Sequence, residues 1–186
     1  SASATFNVPG LMPGSYRIVV RADIANVERD LNRTNNLAAS APIAVGYHDL
    51  LSGGLGVSGT LTTGNRAHYY AINVPAGESL RLVLDGQNGV NHLFVNFGSI
   101  PTRLNYDLGG RAAAEDQTIT LTGVPGGGTY YILVYGEQVG GGNPYTLLAD
   151  TAPFYFTSIT PSQIVGGRSV RFWVEALQSN LPAATL

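Results

Sequence analysis

Apolar residues along the chain alternate with polar ones far more often than they recur at helical spacing. In Tyr16-Arg17-Ile18-Val19-Val20-Arg21-Ala22-Asp23, the positions Tyr16, Ile18, Val20 and Ala22 share one face while Arg17, Arg21 and Asp23 share the other. That is the pattern of a half-buried strand. It returns in Leu80-Arg81-Leu82-Val83-Leu84-Asp85, in Thr118-Ile119-Thr120-Leu121-Thr122 and in Val170-Arg171-Phe172-Trp173-Val174-Glu175. Apart from a candidate helical turn at residues 111–116, no stretch long enough for a helix escapes an interrupting Gly or Pro. The pattern predicts an almost purely β protein.

The candidate strands fall into three groups. Residues 1–46 hold about three, near residues 5–8, 15–22 and 37–45, with a polar loop between the last two. Three strands do not close a sandwich core, which needs about seven. Residues 53–150 hold eight candidates, at 57–61, 68–74, 80–84, 93–97, 103–106, 118–121, 130–135 and 145–149. Eight short antiparallel strands over that length suit a jelly roll or a related sandwich. Residues 154–186 hold two or three more, so both ends read as partial domains. A weak echo links Val8-Pro9-Gly10 and Gly14-Ser15-Tyr16 with Val124-Pro125-Gly126 and Gly128-Thr129-Tyr130. Each reads as a strand, a Pro/Gly turn and a strand opening on Tyr; common hairpin chemistry accounts for it without a tandem repeat.

Composition narrows the functional classes. The 24 Gly and 10 Pro show no three-residue period and mark frequent turns. Charged residues are 12% and the net charge is -2, which gives no electrostatic footprint for nucleic acid or an anionic membrane. At 44% apolar, the chain lies outside the composition of disordered proteins. No apolar run approaches a membrane span, and no charged start leads into an apolar stretch, so the signal of an exported protein would lie outside these 186 residues. Cysteine is absent, which removes disulfides, thiol nucleophiles and thiolate metal sites. Every basic residue is Arg, and the surface must be largely Thr, Ser, Asn, Gln and Gly, as is common in exported proteins.

Three sets of residues carry resemblances. Gly59-Thr60-Leu61, His68-Tyr69-Tyr70, Val74-Pro75-Ala76-Gly77-Glu78-Ser79-Leu80, Asn105-Tyr106-Asp107, residues 128–136 and Tyr145-Thr146-Leu147 resemble the bacterial pre-peptidase C-terminal domain over most of its length. Gly14-Ser15-Tyr16, Ala22-Asp23, Asp30, Arg33 and Asn35-Asn36 resemble the end of the bacterial cell-adhesion-related domain, with Arg33 where that family tends to place a second acid. Residues 156–161 with Gly166-Gly167 are similar to the opening of a TIG-type immunoglobulin-like domain. These resemblances imply an all-β chain with a jelly-roll-like antiparallel β-sandwich at residues 47–152. Partial immunoglobulin-like sandwiches would flank it at 1–46 and 153–186, in an extracellular or cell-surface bacterial protein.

No nucleophilic triad is spelled out. His48, His68 and His92 stand in different contexts, and His48-Asp49 falls in a linker. No paired-His spacing favours zinc. Gly54-Leu55-Gly56-Val57-Ser58-Gly59 fits G-x-G-x-x-G, but β-type sequence follows it instead of a helix, so it reads as a linker entering a strand. Oxygen ligands remain. Asp23, Asn26, Glu28 and Asp30 cluster in one loop and are candidate calcium ligands. The alternative is bonding to the loop's own backbone, which spacings unlike an EF-hand favour. Asp85, Asn88 and Asn91, with Asp107 beyond them, form a weaker set. Tyr69, Phe94, Tyr155 and Trp173 are candidate exposed aromatics for a sugar or a peptide, or for packing on a neighbouring module. Asn32-Arg33-Thr34 fits an N-glycosylation acceptor, incidental in a bacterial protein.

The reading is a non-catalytic structural or adhesive segment whose partners are neighbouring β modules or copies of itself, with assembly head to tail into a filament. The alternative is an accessory targeting or substrate-binding region of a secreted hydrolase, a protease, that touches a protein or polysaccharide surface. Neither reading involves nucleic acid or membrane insertion, and calcium is the one cofactor raised.

Overall fold

The computed structural model describes residue 5 and residues 10–27, 29–53, 56–124, 126–152, 155–160 and 173–177. Four short strands come first: β1 (Gly14–Tyr16), β2 (Val19–Arg21), β3 (Leu37–Ala39) and β4 (Ile43–Val45). β1 pairs with β4 and β2 with β3, both antiparallel. The Ser40 N–H donates to Ile18 O at 2.8 Å and joins the two pairs into one bent ladder. The strands expected at 15–22 and 37–45 are therefore each interrupted. At the break Ser40 Oγ accepts from the Ile18 N–H at 3.0 Å and donates to Ala41 O at 2.6 Å. A side chain thus replaces the backbone partners a continuous ladder would supply.

The face expected to be half-buried is open beyond a half-buried Tyr16, with Val20 61% exposed and Ile18 and Ala22 exposed with it; Val19 and Leu37 are exposed as well. Alternation creates an apolar face, but burial needs a second layer, and none of the described residues supplies one here. The strand expected at residues 5–8 lies, Thr5 aside, outside the described residues.

The main body follows: β5 (His48–Asp49), β6 (Val57–Leu61), β7 (Ala67–Val74), β8 (Ser79–Gly86), β9 (Val90–Phe97), β10 (Leu108–Gly110), β11 (Gln117–Leu121), β12 (Gly128–Gln138) and β13 (Asn143–Ala152). They make two sheets, in the orders β10-β9-β12-β7-β5 and β11-β8-β13-β6. All these pairings are antiparallel except β5 with β7. From β6 to β13 the chain changes sheet at every step except β9 to β10, so the two sheets face each other as a sandwich. Alternate residues point between them: Leu80, Leu82 and Leu84 of β8 meet Ile132 and Val134 of β12, with Ile72, Leu93, Val95 and Leu147 in the same core. Leu50, just after β5, joins that core, and its N–H donates to Ala71 O at 2.7 Å.

Seven of the eight expected central strands overlap observed ones; residues 103–106 do not. Thr102 Oγ1 accepts from the Leu104 N–H at 3.2 Å and the Asn105 N–H at 2.9 Å, and the Thr102 N–H donates to Asn105 O at 2.8 Å. A turn takes the place of the strand, and the pairing with β9 falls to Leu108–Gly110. Residues 111–116 form bends, not a helical turn; the one short helix among the described residues is the 3-10 turn Arg33–Asn35. Last, β14 (Tyr155–Thr160) and β15 (Trp173–Leu177) pair antiparallel, with a register shift between Phe156 and Ser158. The Gly166-Gly167 part of the TIG-like motif lies outside the described residues.

Candidate functional site

The centre of the five-stranded sheet is buried on both faces. Its outer face carries Tyr69 of β7, His92, Phe94 and Asn96 of β9, and Tyr131, Leu133 and Tyr135 of β12, with Leu133 opposite both Phe94 and Tyr69 in register. A sandwich's outer face normally meets water, yet Phe94 is 1% and Leu133 2% exposed. Loops make a partial third layer. The Tyr106 ring packs on Phe94 at 4.8 Å, and Tyr47 meets Tyr131 edge-on at 5.2 Å. Gly109 allows the first contact, because a Cβ there would stand 3.0 Å from the Tyr106 ring and 3.2 Å from that of Phe94.

Between these covers a cleft of about 520 Å3 stays open, with Tyr69, Phe94, Leu133 and Tyr135 below and Thr102, Arg103, Leu104 and Arg111 around it. Its electrostatics come from few groups. Arg103 Nη2 holds Glu137 Oε2 at 2.6 Å, and its guanidinium lies over the Tyr135 ring at 4.4 Å. Arg66 reaches the same ring at 5.5 Å while Nε donates to Gly136 O at 2.9 Å and Nη2 to Glu137 O. Arg111 Nη1 donates to Tyr106 Oη at 3.2 Å. His92 lies 3.9 Å from Glu137; burial pushes its pKa down, Glu137 pulls it up, and Arg111 and Arg103 push it down further.

A second polar group lies between the sheets, half-buried at Asn65 and His68 and buried at Tyr70 and Tyr145. Asn65 Nδ2 donates to His68 Nε2 at 3.1 Å, which places the ring proton on Nδ1, 2.6 Å from Tyr145 Oη; Tyr145 in turn is 2.5 Å from Tyr70 Oη. Burial lowers the pKa of His68 and raises those of Tyr145 and Tyr70. The chain of bonds holds no Ser or Thr oxygen for a base to activate, and the aromatic hydroxyls are held protonated, so its role is structural.

The candidate calcium loop is brought together only in part. Asp23 Oδ2 and Asn26 Oδ1 converge on Arg33 Nη1, at 3.2 and 2.5 Å. Asp23 Oδ1 accepts from the Val27 N–H at 2.7 Å, and Asp30 Oδ1 turns to the Asn32 N–H at 2.9 Å. Both Asp23 and Asn26 have positive φ, 42° and 54°, as the tight loop requires. Glu28 lies outside the described residues. Asn32 Oδ1 accepts from Thr34 N and Thr34 Oγ1, so the glycosylation-like triplet caps its own turn.

Among the weaker set, Asn91 is fully buried and bonds Glu115 O and Asn143 Nδ2 at 2.9 Å each. Asp107 accepts from the Phe97 N–H at 2.7 Å. Among the described residues no group of three His, Cys, Asp or Glu is placed to hold a metal. Phe94, expected to be exposed, is buried; the side chains of Tyr155 and Trp173, and residues 54 and 55 of the glycine run, lie outside the described residues. His48 packs near Tyr70, ring centroids 6.2 Å apart.

Reading the sequence missed the Arg103–Arg111 cleft. Its one signal was that Arg66 and Arg103 each stand three residues before a tyrosine, Tyr69 and Tyr106.

Two sheets, antiparallel but for the β5–β7 pair and packed face to face, crossed by a polar network and overlaid by an arginine-rimmed cleft, define an all-β sandwich module. Residues 66–136, from the approach to β7 into β12, match the model of the bacterial pre-peptidase C-terminal domain family. Similar solved structures include the pre-peptidase C-terminal domain of collagenase from Bacillus anthracis, at 19% identity and a TM-score of 0.46, covering 56% of this chain and 94% of that one. PliG of Aeromonas hydrophila, a periplasmic inhibitor of g-type lysozyme, is similar at 16% identity and a TM-score of 0.41, covering 56% and 96%. No curated protein matches the chain.

Proposed function

We propose that the chain is a non-catalytic accessory segment of an extracellular or cell-surface bacterial hydrolase, whose sandwich holds the enzyme against its substrate. The observation that carries this reading is the family match over residues 66–136, since the family is named for standing C-terminal to peptidases. The order of the eight strands supports a jelly roll: counted from β6, they read 5-4-7-2 in one sheet and 6-3-8-1 in the other, as two interleaved Greek keys require. The module is taken as residues 47–152, with 1–46 the end of an adhesion-related domain and 153–186 the start of a TIG-type one. Calcium has little part in this reading, because Arg33 already supplies a cation to Asp23 and Asn26.

The test pairs two assays on the full chain. Incubation with casein and gelatin should release no peptide, and sedimentation with insoluble proteins and polysaccharides, with calcium and with chelator, should retain the chain on at least one. Peptide release, or no retention on any surface, would sink the reading.

One observation favours a second reading, a structural segment that assembles head to tail: the β1–β4 ladder leaves Ile18, Val19, Val20 and Leu37 exposed. Sedimentation velocity over a hundredfold concentration range decides it, and a monomer throughout removes the filament.

A further inference from the structure

We propose that the cleft rimmed by Arg103 and Arg111 is a carboxylate-binding site that takes an acidic polypeptide. The proposal rests on the accessory reading and gives that reading its contact surface. The first argument is charge. The chain carries a net charge of -2 and has ten basic residues, all Arg, yet Arg103 and Arg111 both line one cleft, where Glu137 holds Arg103 and leaves Arg111 as the charge not matched by a carboxylate among the described residues.

The second argument is an internal precedent. Arg103 grips the Glu137 carboxylate at 2.6 Å, which shows the geometry by which this rim holds such a group. Arg111 stands at the same rim, is exposed, and among the described residues has no carboxylate partner; its one hydrogen bond runs to Tyr106 Oη. Because that hydroxyl accepts from Arg111, its own proton is free to be donated. A guanidinium with a hydroxyl beside it matches the two oxygens of an Asp or Glu side chain.

The third argument selects polypeptide over polysaccharide. Sugar rings need open aromatic faces, and two of the three rings on the cleft floor are engaged, since Arg103 covers Tyr135 at 4.4 Å and Phe94 is buried against Tyr106 and His92, which leaves a half-buried Tyr69. Leu104, 96% exposed at the rim, suits an apolar side chain flanking a carboxylate.

The experiment is a calorimetric titration of the full chain with poly-L-glutamate, alginate and dextran at low and physiological salt. Poly-L-glutamate should bind, more weakly as salt rises. Arg111→Gln should lower that affinity about tenfold. Arg81→Gln, an exposed change on the outer face of the other sheet, should leave it unchanged. No binding of poly-L-glutamate, or an equal loss in both variants, overturns the site. Alginate bound as tightly through Arg111 overturns the choice of polypeptide. Retention on an insoluble surface that ignores Arg111 keeps the accessory reading and removes the cleft, whereas peptide release from casein removes the accessory reading alone.

Discussion

Strands β2 and β8 carry the same alternation and end in opposite environments. In β8, Leu80, Leu82 and Leu84 are fully buried between two sheets, with Arg81 exposed on the far side. In β2, Val19 and Val20 are 59% and 61% exposed, and the paired β3 adds an exposed Leu37. The backbone hydrogen bonds are made in both places. What differs is whether a second layer exists, and that depends on residues distant in sequence. Ladder formation is thus local chemistry, and burial is topology.

The largest expected effect breaks this comparison directly. Leu82→Ala empties a site enclosed by both sheets and should cost about 3 kcal/mol in urea unfolding. Val20→Ala removes side-chain atoms already in water and should fall within about 0.5 kcal/mol. A loss at Val20 as large as that at Leu82 would mean that the ladder is covered in solution, by another copy of the chain or by its own tail.

The same contrast explains what the sequence made legible. Alternating apolar residues located β7, β8, β9, β11, β12 and β13, because each has a buried face whose period survives in the residues. It failed at residues 103–106, where Arg-Leu-Asn-Tyr alternates but the Thr102 hydroxyl draws the backbone into a turn. It also failed to see β10, since Leu108-Gly109-Gly110 has almost no side chains to alternate; Gly109 lets Tyr106 approach Phe94, and Gly110 faces Gln117. The burial of Phe94 and the cleft beside it were illegible for one reason: both arise where a loop folds over a sheet face, and alternation records only the sheet.

A smaller effect compares two tyrosine hydroxyls. Tyr145 links His68 and Tyr70 inside the sandwich, whereas Tyr16 donates to Met12 O at 2.7 Å on the exposed ladder. Tyr145→Phe takes a partner from the buried Tyr70 hydroxyl and the half-buried His68 ring and should cost about 1–3 kcal/mol; Tyr16→Phe gives up a bond that water replaces and should cost under about 1 kcal/mol. Equal losses in thermal unfolding would deny the network its enclosure.

Acidification sharpens the comparison again, because the two histidines whose pKa values are lowered, His68 and His92, both belong to the sandwich. Burial is the leading cause for each. A lowered histidine binds its proton more readily in the unfolded chain, so its stabilisation is complete above the unfolded value, about 6.5, and is lost as pH falls from there through the folded value. Protonation at His68 would also set a ring N–H against the Asn65 amide that now donates to it. Stability should therefore fall between about pH 7 and pH 5, and His68→Gln should flatten that slope. A slope unchanged in the variant would remove His68 from the account.

The smallest effect belongs to the ladder's own loop. Asp23 and Asn26 form an oxygen pair such as calcium seeks, yet the Arg33 guanidinium occupies it. A calcium ion entering there must displace a tethered cation and then find further oxygens, while Asp30 is already committed to the Asn32 N–H. The melting temperature should therefore be the same in calcium and in chelator. Arg33→Ala should change stability by no more than about 1 kcal/mol, since an ion pair with one partner 44% exposed is worth little. The informative case is the double condition. If Arg33→Ala becomes calcium-responsive where the parent is not, the loop is a cation site whose ion is built into the sequence. A calcium response in the parent would show instead that Arg33 yields its place, and the ladder would then owe part of its order to the metal.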